Sequence, residues 1–440
     1  MKILLTGQCT LHWGRMEFGN IGNYYVIEPL VQQLHAAFPN LILKTTFQMS
    51  QDFCDKNGIS ETLPMDLYYG WTGYDLETAN YERTLTNEYQ STGQLRDRTP
   101  YIDAVLWADI IIDYSGDIWG DNANFLGEDR FEVGLIKDRI AMNLNKNVVM
   151  LAGSPGPFRS EKNKELAKAV YKDFNLVTNR EPLSTDLLKQ EGFDISKTHS
   201  IPCPSFLFQG SAHHDIQPHL EKTPLNKPKG VRRQPIVGFI LCGWNFEQGP
   251  FDKWPRDDDE YRNFAEAVEF LTNTLGAKVC LMSHSNGFDI PPAPFKLKHG
   301  RDYFVIKQLE KILEKRAITS NYFVLDDVYD AWDTKGIIGT FDMLISGRVH
   351  GAIAGLSQAI PTVIIDYGHE PKAHKLQGFA KLVDIEGYVA NPNNKAQFSN
   401  VIQSCWLQRI SYQKHLDDRV PAIQSHAKKA FSLLRSTTIT

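Results

Sequence analysis

Two neighbouring stretches, Met343-Leu-Ile-Ser-Gly-Arg-Val-His-Gly351 and Pro361-Thr-Val-Ile-Ile-Asp-Tyr367, decide the fold of this chain. Each contains a short run of apolar residues, at 343–345 and 362–365, and residues 349–358 between them have the pattern of an apolar helix. Short apolar strands joined by helices are typical of parallel sheets that are covered on both faces. The two stretches therefore predict a strand–helix–strand unit.

The same alternation recurs along most of the chain. Apolar runs lie at 2–6, 109–113, 147–152 and 175–178 in the first half, and at 236–241, 278–282 and 322–325 in the second. Helical patterns separate them, which predicts an α/β protein with two Rossmann-like doubly wound domains facing across a cleft, as in the GT-B fold. The predicted boundaries are an N-terminal domain at 1–210 with an insertion at 52–99, a linker at 211–234, a C-terminal domain at 235–394, and C-terminal helices at 395–440.

Composition narrows the classes of function. The 440 residues include 47 Lys and Arg against 52 Asp and Glu, a formal charge of -5, which argues against a general nucleic-acid binder. The longest apolar runs are too short to span a bilayer. The six cysteines show no CxxC spacing, so we expect neither a structural metal nor disulfides, and we expect a cytoplasmic protein. The basic linker is either a plain solvated loop or a surface that contacts the acceptor or the inner face of an anionic membrane.

The strongest candidate site follows the strand at 343–345. In doubly wound sheets, ligands bind beyond the carboxyl ends of the strands. Ser346 and Gly347 end this strand, and Arg348 and His350 begin the next helix, so a cation, an imidazole and free helix N–H groups meet at one point. This combination predicts an oxyanion site. Side chains beyond the next strand extend it: Tyr367, His369, Lys372 and Lys375.

Other strand ends carry residues with two or more possible roles. Residues Gly19-Asn-Ile-Gly-Asn23 either present backbone N–H groups to an anion or form a tight turn in which Asn23 caps a helix. Asp117 and Asp121 are candidate bases, metal ligands or loop caps. Arg180 either binds an anion or pairs with Glu181 or another neighbour. His284 is a candidate general acid or base, or an ordinary loop histidine.

A tyrosine-rich segment lies in the predicted insertion. It contains Tyr68, Tyr69, Trp71, Tyr74, Tyr81 and Tyr89. Sugar rings pack on flat aromatic surfaces, so Trp71 and Tyr74 are predicted to contact a saccharide acceptor together with Asn20, Asn23 and Asp117. The alternative is that the aromatic rings pack the insertion against its own domain.

Taken together, these motifs resemble the polysaccharide pyruvyl transferases. The resemblance is strongest over Ile337-Ile-Gly-Thr-Phe-Asp-Met-Leu-Ile-Ser-Gly-Arg-Val-His-Gly-Ala352 and continues through Gly355-Leu-Ser-Gln-Ala-Ile-Pro361. It extends more sparsely to the glycine loop at 19–23, to Arg180 with Ser184, and to His284. The Arg-x-His element, Arg348 and His350, is the most specific part of the match.

The resemblance implies a fold and a reaction. It implies two Rossmann-like domains of the GT-B kind and transfer of the enolpyruvyl group of phosphoenolpyruvate to two hydroxyls of a sugar, which forms a pyruvate ketal. Arg348, His350 and Arg180 would hold the donor. From the chemistry, His350 would be the proton donor or a phosphate partner, and His284 or an Asp of the first domain would help to deprotonate the hydroxyl. Further donor contacts would come from Gly347, Tyr367, Lys372 and Lys375. No cofactor or metal is expected, and the acceptor would be a free or lipid-linked saccharide.

Two other functions remain open from the residues alone. A GT-B glycosyltransferase that uses a nucleotide sugar would also need an arginine, a histidine and a helix N-terminus for the diphosphate. A non-catalytic glycan-binding relative would share the fold, but it would have no need to keep both Arg348 and His350. The identity of the leaving group, phosphate or nucleotide, separates the first alternative from the pyruvyl transferase.

Overall fold

The computed structural model describes residues 1–8, 20–226, 234–247, 253–288, 296–318, 320–367 and 373–438. The chain divides into two compact units. Unit 1 comprises Met1–Glu17, Ile27–Pro204 and Ser425–Thr440, and unit 2 comprises Phe18–Val26 and Ser205–Gln424. One long helix near the N-terminus therefore contributes its first residues to unit 2 and the remainder to unit 1.

Unit 1 is built on a parallel sheet, seven-stranded over the described residues, in the order β3-β2-β1-β4-β5-β6-β7. The reversal of strand order between β1 and β4 is the topological switch point of a doubly wound sheet. The central strands are fully buried, as in Ile110–Asp113, because helices cover both faces. The strands are β1 Lys2–Thr6, β2 Ile42–Thr45, β3 Glu61–Thr62, β4 Ile110–Asp113, β5 Asn147–Gly153, β6 Leu176–Asn179 and β7 Thr198–Ser200.

The helices that cover this sheet alternate with its strands. Several begin with a residue whose side chain accepts a backbone N–H, such as Ser50, Thr99, Ser160 and Glu181. Their bounds are α1 Ile21–Ala37, α2 Gln51–Asn57, α3 Asp75–Thr92, α4 Pro100–Trp107, α5 Arg130–Asn143, α6 Glu161–Tyr171 and α7 Pro182–Gln190.

Unit 2 repeats the plan with a parallel sheet, six-stranded over the described residues, in the order β12-β9-β8-β13-β14-β15. Here the order reverses between β8 and β13. The strands are β8 Ile236–Ile240, β9 Lys278–Met282, β12 Tyr322–Val324, β13 Met343–Ser346, β14 Thr362–Ile365 and β15 Val389–Ala390, with β10 Asn286–Phe288 and β11 Leu297–His299 forming a separate antiparallel pair. The helices are α8 His213–Leu220, α9 Arg262–Glu269, α10 Arg301–Lys315, α11 Ala331–Ile338, α12 Val349–Leu356, α13 Ala373–Val383, α14 Lys395–Ala427 and α15 Lys429–Thr438, the last of which belongs to unit 1.

The two sheets confirm the predicted fold class of two Rossmann-like α/β units. Some predicted segments differ from the structure. The predicted insertion at 52–99 contains β3, which pairs with β2 at the edge of the sheet. This strand is absent from the prediction because two residues are too few to give an apolar run. The predicted linker at 211–234 contains α8, whose Ile216 and Leu220 are buried in unit 2.

Candidate functional site

The switch point of unit 2 is held by a network around the loops that follow β8 and β13. Asn245, which is 1% exposed, accepts the Cys242 N–H through Oδ1 at 2.8 Å and donates from Nδ2 to the Gly347 carbonyl at 3.1 Å. The Cys242 thiol donates to the same carbonyl at 3.1 Å. A Cβ on Gly347 would overlap the Asn245 amide, so this close approach requires glycine. The residue before Arg348 is therefore fixed in place.

Arg348 lies directly after this loop as the N-cap residue of α12. Its Nε donates to Asp302 Oδ2 at 2.9 Å and its Nη2 donates to Oδ1 at 2.5 Å, which is a bidentate fork. Burial lowers the pKa of Arg348, but the Asp302 carboxylate more than offsets this effect, so the pKa is raised. Asp302 is 1% exposed and Arg348 is 21% exposed, so the pair presents an oriented, permanently charged guanidinium near the surface.

His284 follows β9 and is fully buried. Neither ring nitrogen has a hydrogen-bond partner among the residues that the structure describes. Burial, and then the Arg348 guanidinium, lower the pKa of His284 to about 3. The imidazole is therefore neutral near pH 7. In this charge state His284 can accept or donate a hydrogen bond, and its role as a general acid or base stays a prediction.

His350 lies in the first turn of α12, and the start of α1 packs against it. A Cβ on Gly22 would approach the His350 Cβ to 2.8 Å, so a glycine is needed at this contact as well. Asn20 accepts the Gly22 N–H through Oδ1 at 3.0 Å and so caps α1, while Asn23 lies inside the first turn. The predicted cap at Asn23 is therefore wrong by three residues. The acceptor roles of Asn20 and Asn23 stay predictions, and Gly19 lies outside the described residues.

The remaining donor candidates of unit 2 are only partly placed. Tyr367 follows β14, is 5% exposed and interacts electrostatically with Arg348. Lys375, in α13, is also 5% exposed. Lys372 and His369 lie outside the described residues. Unit 2 thus assembles Gly347, Arg348, His350, His284 and Tyr367 at the carboxyl ends of its strands.

Arg180 belongs to unit 1, where it joins the loops that follow three strands. It is 2% exposed, its Nε donates to Ser154 Oγ at 2.8 Å, and its Nη2 lies 3.6 Å from Asp117 Oδ1. Glu181 instead accepts the Ser184 N–H at the start of α7. The structure therefore supports the ion-pair alternative for Arg180, with Asp117 as the partner, and its role in donor binding stays a prediction.

Asp121 behaves as a loop cap. Its Oδ2 accepts the Ser160 N–H at 3.1 Å and also the Arg159 N–H.

Over the described ranges, no group of three or more His, Cys, Asp or Glu is arranged to hold a metal ion. The helices of the same ranges include none that is both long and apolar enough to cross a membrane.

The tyrosine-rich segment divides into packed and exposed rings. Trp71 Nε1 donates to the Leu126 carbonyl at 2.5 Å, the Arg130 guanidinium lies 4.7 Å from the Trp71 ring centre, and Tyr69 packs edge-on at 5.0 Å. Tyr74 is 69% exposed. The packing alternative therefore describes Trp71, and the role of the exposed Tyr74 in acceptor binding stays a prediction.

We expect the two rings to respond differently to substitution. Trp71→Ala should destabilise the protein by about 3 kcal/mol because it removes a large packed ring. Tyr74→Ala should leave the melting temperature unchanged and raise the acceptor KM several-fold. Thermal unfolding and acceptor kinetics of the two variants test this. A Tyr74→Ala variant with wild-type acceptor kinetics would remove Tyr74 from the acceptor site.

A second buried polar cluster lies at the switch point of unit 1. Asp113 ends β4, and Asp138 projects from α5; both are at most 1% exposed. Burial raises the pKa of Asp113 to about 7. Burial and the neighbouring Asp113 charge raise the pKa of Asp138 as well. The two carboxyl groups therefore hold at least one proton near neutral pH.

This cluster predicts a pH dependence of stability. The folded pKa of Asp113 lies above the unfolded value of about 3.9, so its contribution is full below about pH 4 and is lost as pH rises towards about 7. Asp113→Asn should reduce this dependence, because only Asp138 of the pair still titrates, and should make the protein more stable than wild type at pH 8, by about 2 kcal/mol or more. Free energies of unfolding between pH 5 and 8 provide the measurement. An unchanged slope in the variant would show that Asp113 is ionised when folded.

Sequence reasoning missed two residues that support this site. Asp302 holds Arg348, and its only sequence signal is an acidic residue in the first turn of a helix, which is common. Asn245 holds Gly347, and its signal is a Cys-Gly-Trp-Asn turn after an apolar run. Neither signal identifies a partner that lies 46 or 102 residues away in the chain.

Comparisons with known proteins identify a family that the sequence matches. The family model described as polysaccharide pyruvyl transferase matches residues 20–369. The amylovoran biosynthesis protein AmsJ of Erwinia amylovora is 22% identical over 386 residues, which cover 84% of each chain.

Solved structures show the same fold at low sequence identity. Anabaena HepE, crystallised with UDP and glucose, aligns with a TM-score of 0.56 at 13% identity over 100% of this chain and 99% of that chain. A glycosyltransferase from Rickettsia africae gives 0.58 at 12% identity over 100% and 98%. The UDP-GlcNAc 2-epimerase of Neisseria meningitidis gives 0.56 at 11% identity over the full length of both chains. These likenesses show two Rossmann-like units of the GT-B kind.

Proposed function

Because the chain belongs to the polysaccharide pyruvyl transferase family, we propose that it moves the enolpyruvyl group of phosphoenolpyruvate to two hydroxyls of a sugar as a pyruvate ketal. The observation that carries the proposal is the Asp302–Arg348 fork at the start of α12, beside the Gly347 loop. A fixed guanidinium beside the N-terminus of a helix suits a small substrate with a carboxylate and a phosphate.

The reaction moves three protons, one onto the methylene carbon of the donor and one away from each of the two sugar hydroxyls. The methylene carbon of phosphoenolpyruvate takes up one proton, and a sugar hydroxyl attacks the resulting oxocarbenium-like carbon, losing its own proton. The second hydroxyl attacks the same carbon as the C–O bond to phosphate breaks, and its proton leaves with the phosphate or the general base. Two C–O bonds form, one breaks, and the carbon skeleton of the donor is otherwise kept.

The described residues suggest how this work is divided. Arg348 neutralises the anionic donor and fixes its orientation. His350, in the first turn of α12 and packed against Gly22, gives the proton to the methylene carbon or contacts the phosphate. The neutral His284 accepts or donates a hydrogen bond without changing the charge of the site. The acceptor is a free or lipid-linked saccharide, and AmsJ, named for amylovoran biosynthesis, supports an exopolysaccharide precursor.

A nucleotide-sugar transferase is the second candidate, because HepE was crystallised with UDP and glucose. The two functions differ in their leaving groups. The protein should be incubated with a panel of glycosides and either phosphoenolpyruvate or UDP-glucose. We expect acceptor-dependent release of inorganic phosphate that Arg348→Ala abolishes. Release of UDP without release of phosphate would favour the glycosyltransferase, and release of neither would favour a non-catalytic relative.

A further inference from the structure

A single turn of α1 contacts both histidines of the site. Gly22 packs against His350, and the Tyr25 ring lies edge-on to the His284 ring, with ring centres 5.4 Å apart and planes at 76°. Residues three apart lie on the same face of a helix, so these two contacts come from one surface of α1. The glycine-containing start of α1 is therefore one wall of the site.

Tyr25 carries a hydroxyl that its surroundings do not use. The side chain is fully buried, and the hydroxyl has no hydrogen-bond partner within the described part of the chain. Burial, and then the Asp330 charge, raise the pKa of Tyr25 well above its ordinary value, so the phenol stays protonated. The aromatic ring itself is well packed, with Phe208 at 4.5 Å. Phenylalanine would satisfy that packing, so the hydroxyl needs another explanation.

The neighbouring His284 has the same property. Its two ring nitrogens are buried and lack hydrogen-bond partners over the described residues. Two adjacent rings therefore carry unsatisfied groups: a hydroxyl donor on Tyr25, and a donor and an acceptor on His284. Leaving buried polar groups unpaired is costly, and native proteins keep few of them. The unpaired groups of Tyr25 and His284 are neighbours, and His284 lies near the fixed Arg348 guanidinium. We therefore expect a ligand to supply the missing hydrogen-bond partners.

We propose that Tyr25 is a donor-binding residue whose hydroxyl, together with His284, hydrogen-bonds an oxygen of phosphoenolpyruvate held by Arg348. The assignment rests on the proposed function for the identity of the ligand. Hydrogen bonds of this kind commonly form only in the substrate complex, so small side-chain shifts on binding complete the contact. The start of α1 then has two tasks, because Gly22 makes room for His350 and Tyr25 binds the substrate.

The test is the variant Tyr25→Phe, with Tyr24→Phe as a matched control. Tyr24 is the adjacent buried tyrosine, and its ring packs edge-on against Trp332 at 4.7 Å and Phe208 at 5.8 Å. Melting temperature and the dissociation constant for phosphoenolpyruvate are measured for both variants and for wild type. We expect Tyr25→Phe to melt at the same temperature or about 2 to 4 °C higher, and to bind phosphoenolpyruvate about tenfold or more weakly. Tyr24→Phe should bind it as tightly as wild type.

A gain or retention of stability with a loss of affinity is the signature of a functional group, since a structural hydroxyl would give a loss of stability. Unchanged affinity in Tyr25→Phe would overturn the assignment and leave the proposed function intact. Equal losses of affinity in both tyrosine variants would also overturn it. Wild-type protein that does not bind phosphoenolpyruvate would overturn the donor itself, and Tyr25 with it, so the two failures are distinguished by the wild-type measurement.

Discussion

Replacing Arg348 with lysine is expected to lower kcat/KM for phosphoenolpyruvate by about 100- to 1,000-fold, nearly as much as replacement with alanine. The guanidinium uses two nitrogens to hold both oxygens of Asp302 and keeps a planar orientation towards the ligand. A lysine ammonium is a point charge on a flexible chain and cannot keep this geometry. Steady-state kinetics of the two variants measure the effect.

Because Arg348 pairs with the buried Asp302, its replacement should also lower the stability of the protein. Asp302 is 1% exposed, so Arg348→Ala leaves a carboxylate without its fork and should cost about 3 to 5 kcal/mol of stability. Arg262→Lys provides a matched control, because Arg262 is 59% exposed and pairs with the exposed Asp259. It should retain wild-type kinetics. Wild-type activity and donor affinity in Arg348→Lys would contradict the role of Arg348 in donor binding.

His350→Gln is expected to lower the turnover rate by about 100- to 10,000-fold while changing donor affinity little. Glutamine keeps a hydrogen-bond donor of similar length but cannot exchange a proton near neutral pH. Turnover is measured at saturating donor, and donor affinity is measured separately by titration. His214→Gln is the control, because His214 is 84% exposed and lies far along the chain from the α12 start.

The role of His350 is decided by comparing the loss of turnover in His350→Gln with the loss of donor affinity. A fall in turnover of less than tenfold would make it a binding or structural residue. A large loss of donor affinity with unchanged turnover would assign it to the phosphate instead of the methylene carbon. The close packing of Gly22 on His350 means that a bulkier residue at position 22 should reproduce part of the His350→Gln defect.

The central strands of both sheets were predictable because they are uniformly apolar. Strand β13 and helix α12 lie almost where the pattern at 343–358 predicts them. Strands β2 and β7 were missed. Lys44 interrupts the first, and Thr198, His199 and Ser200 make the second a polar edge strand without an apolar signal. Strand β7 lies at the edge of the sheet, where short and polar strands are common, so it has little apolar signal.

Only those site residues that lie close together in the sequence could be predicted as a group. Gly347, Arg348 and His350 share a strand end and a helix start, so their grouping is visible in the sequence. Asp302 and Asn245 reach the same point from other strand ends, which only the strand order β12-β9-β8-β13 brings together. Tyr25 looks like an ordinary core residue of a helix, and nothing in the sequence shows that its hydroxyl is unsatisfied.

The most direct test of the proposed function follows carbon from donor to acceptor. Phosphoenolpyruvate labelled with carbon-13 at all three carbons is incubated with the protein and a saccharide panel that includes exopolysaccharide precursors, and the products are analysed by mass spectrometry. We expect one acceptor to gain the mass of a fully labelled pyruvyl ketal, with one phosphate released per transfer, and Arg348→Ala to give no product. Transfer of a hexose from UDP-glucose with no labelled carbon in any acceptor would contradict the pyruvyl transferase function.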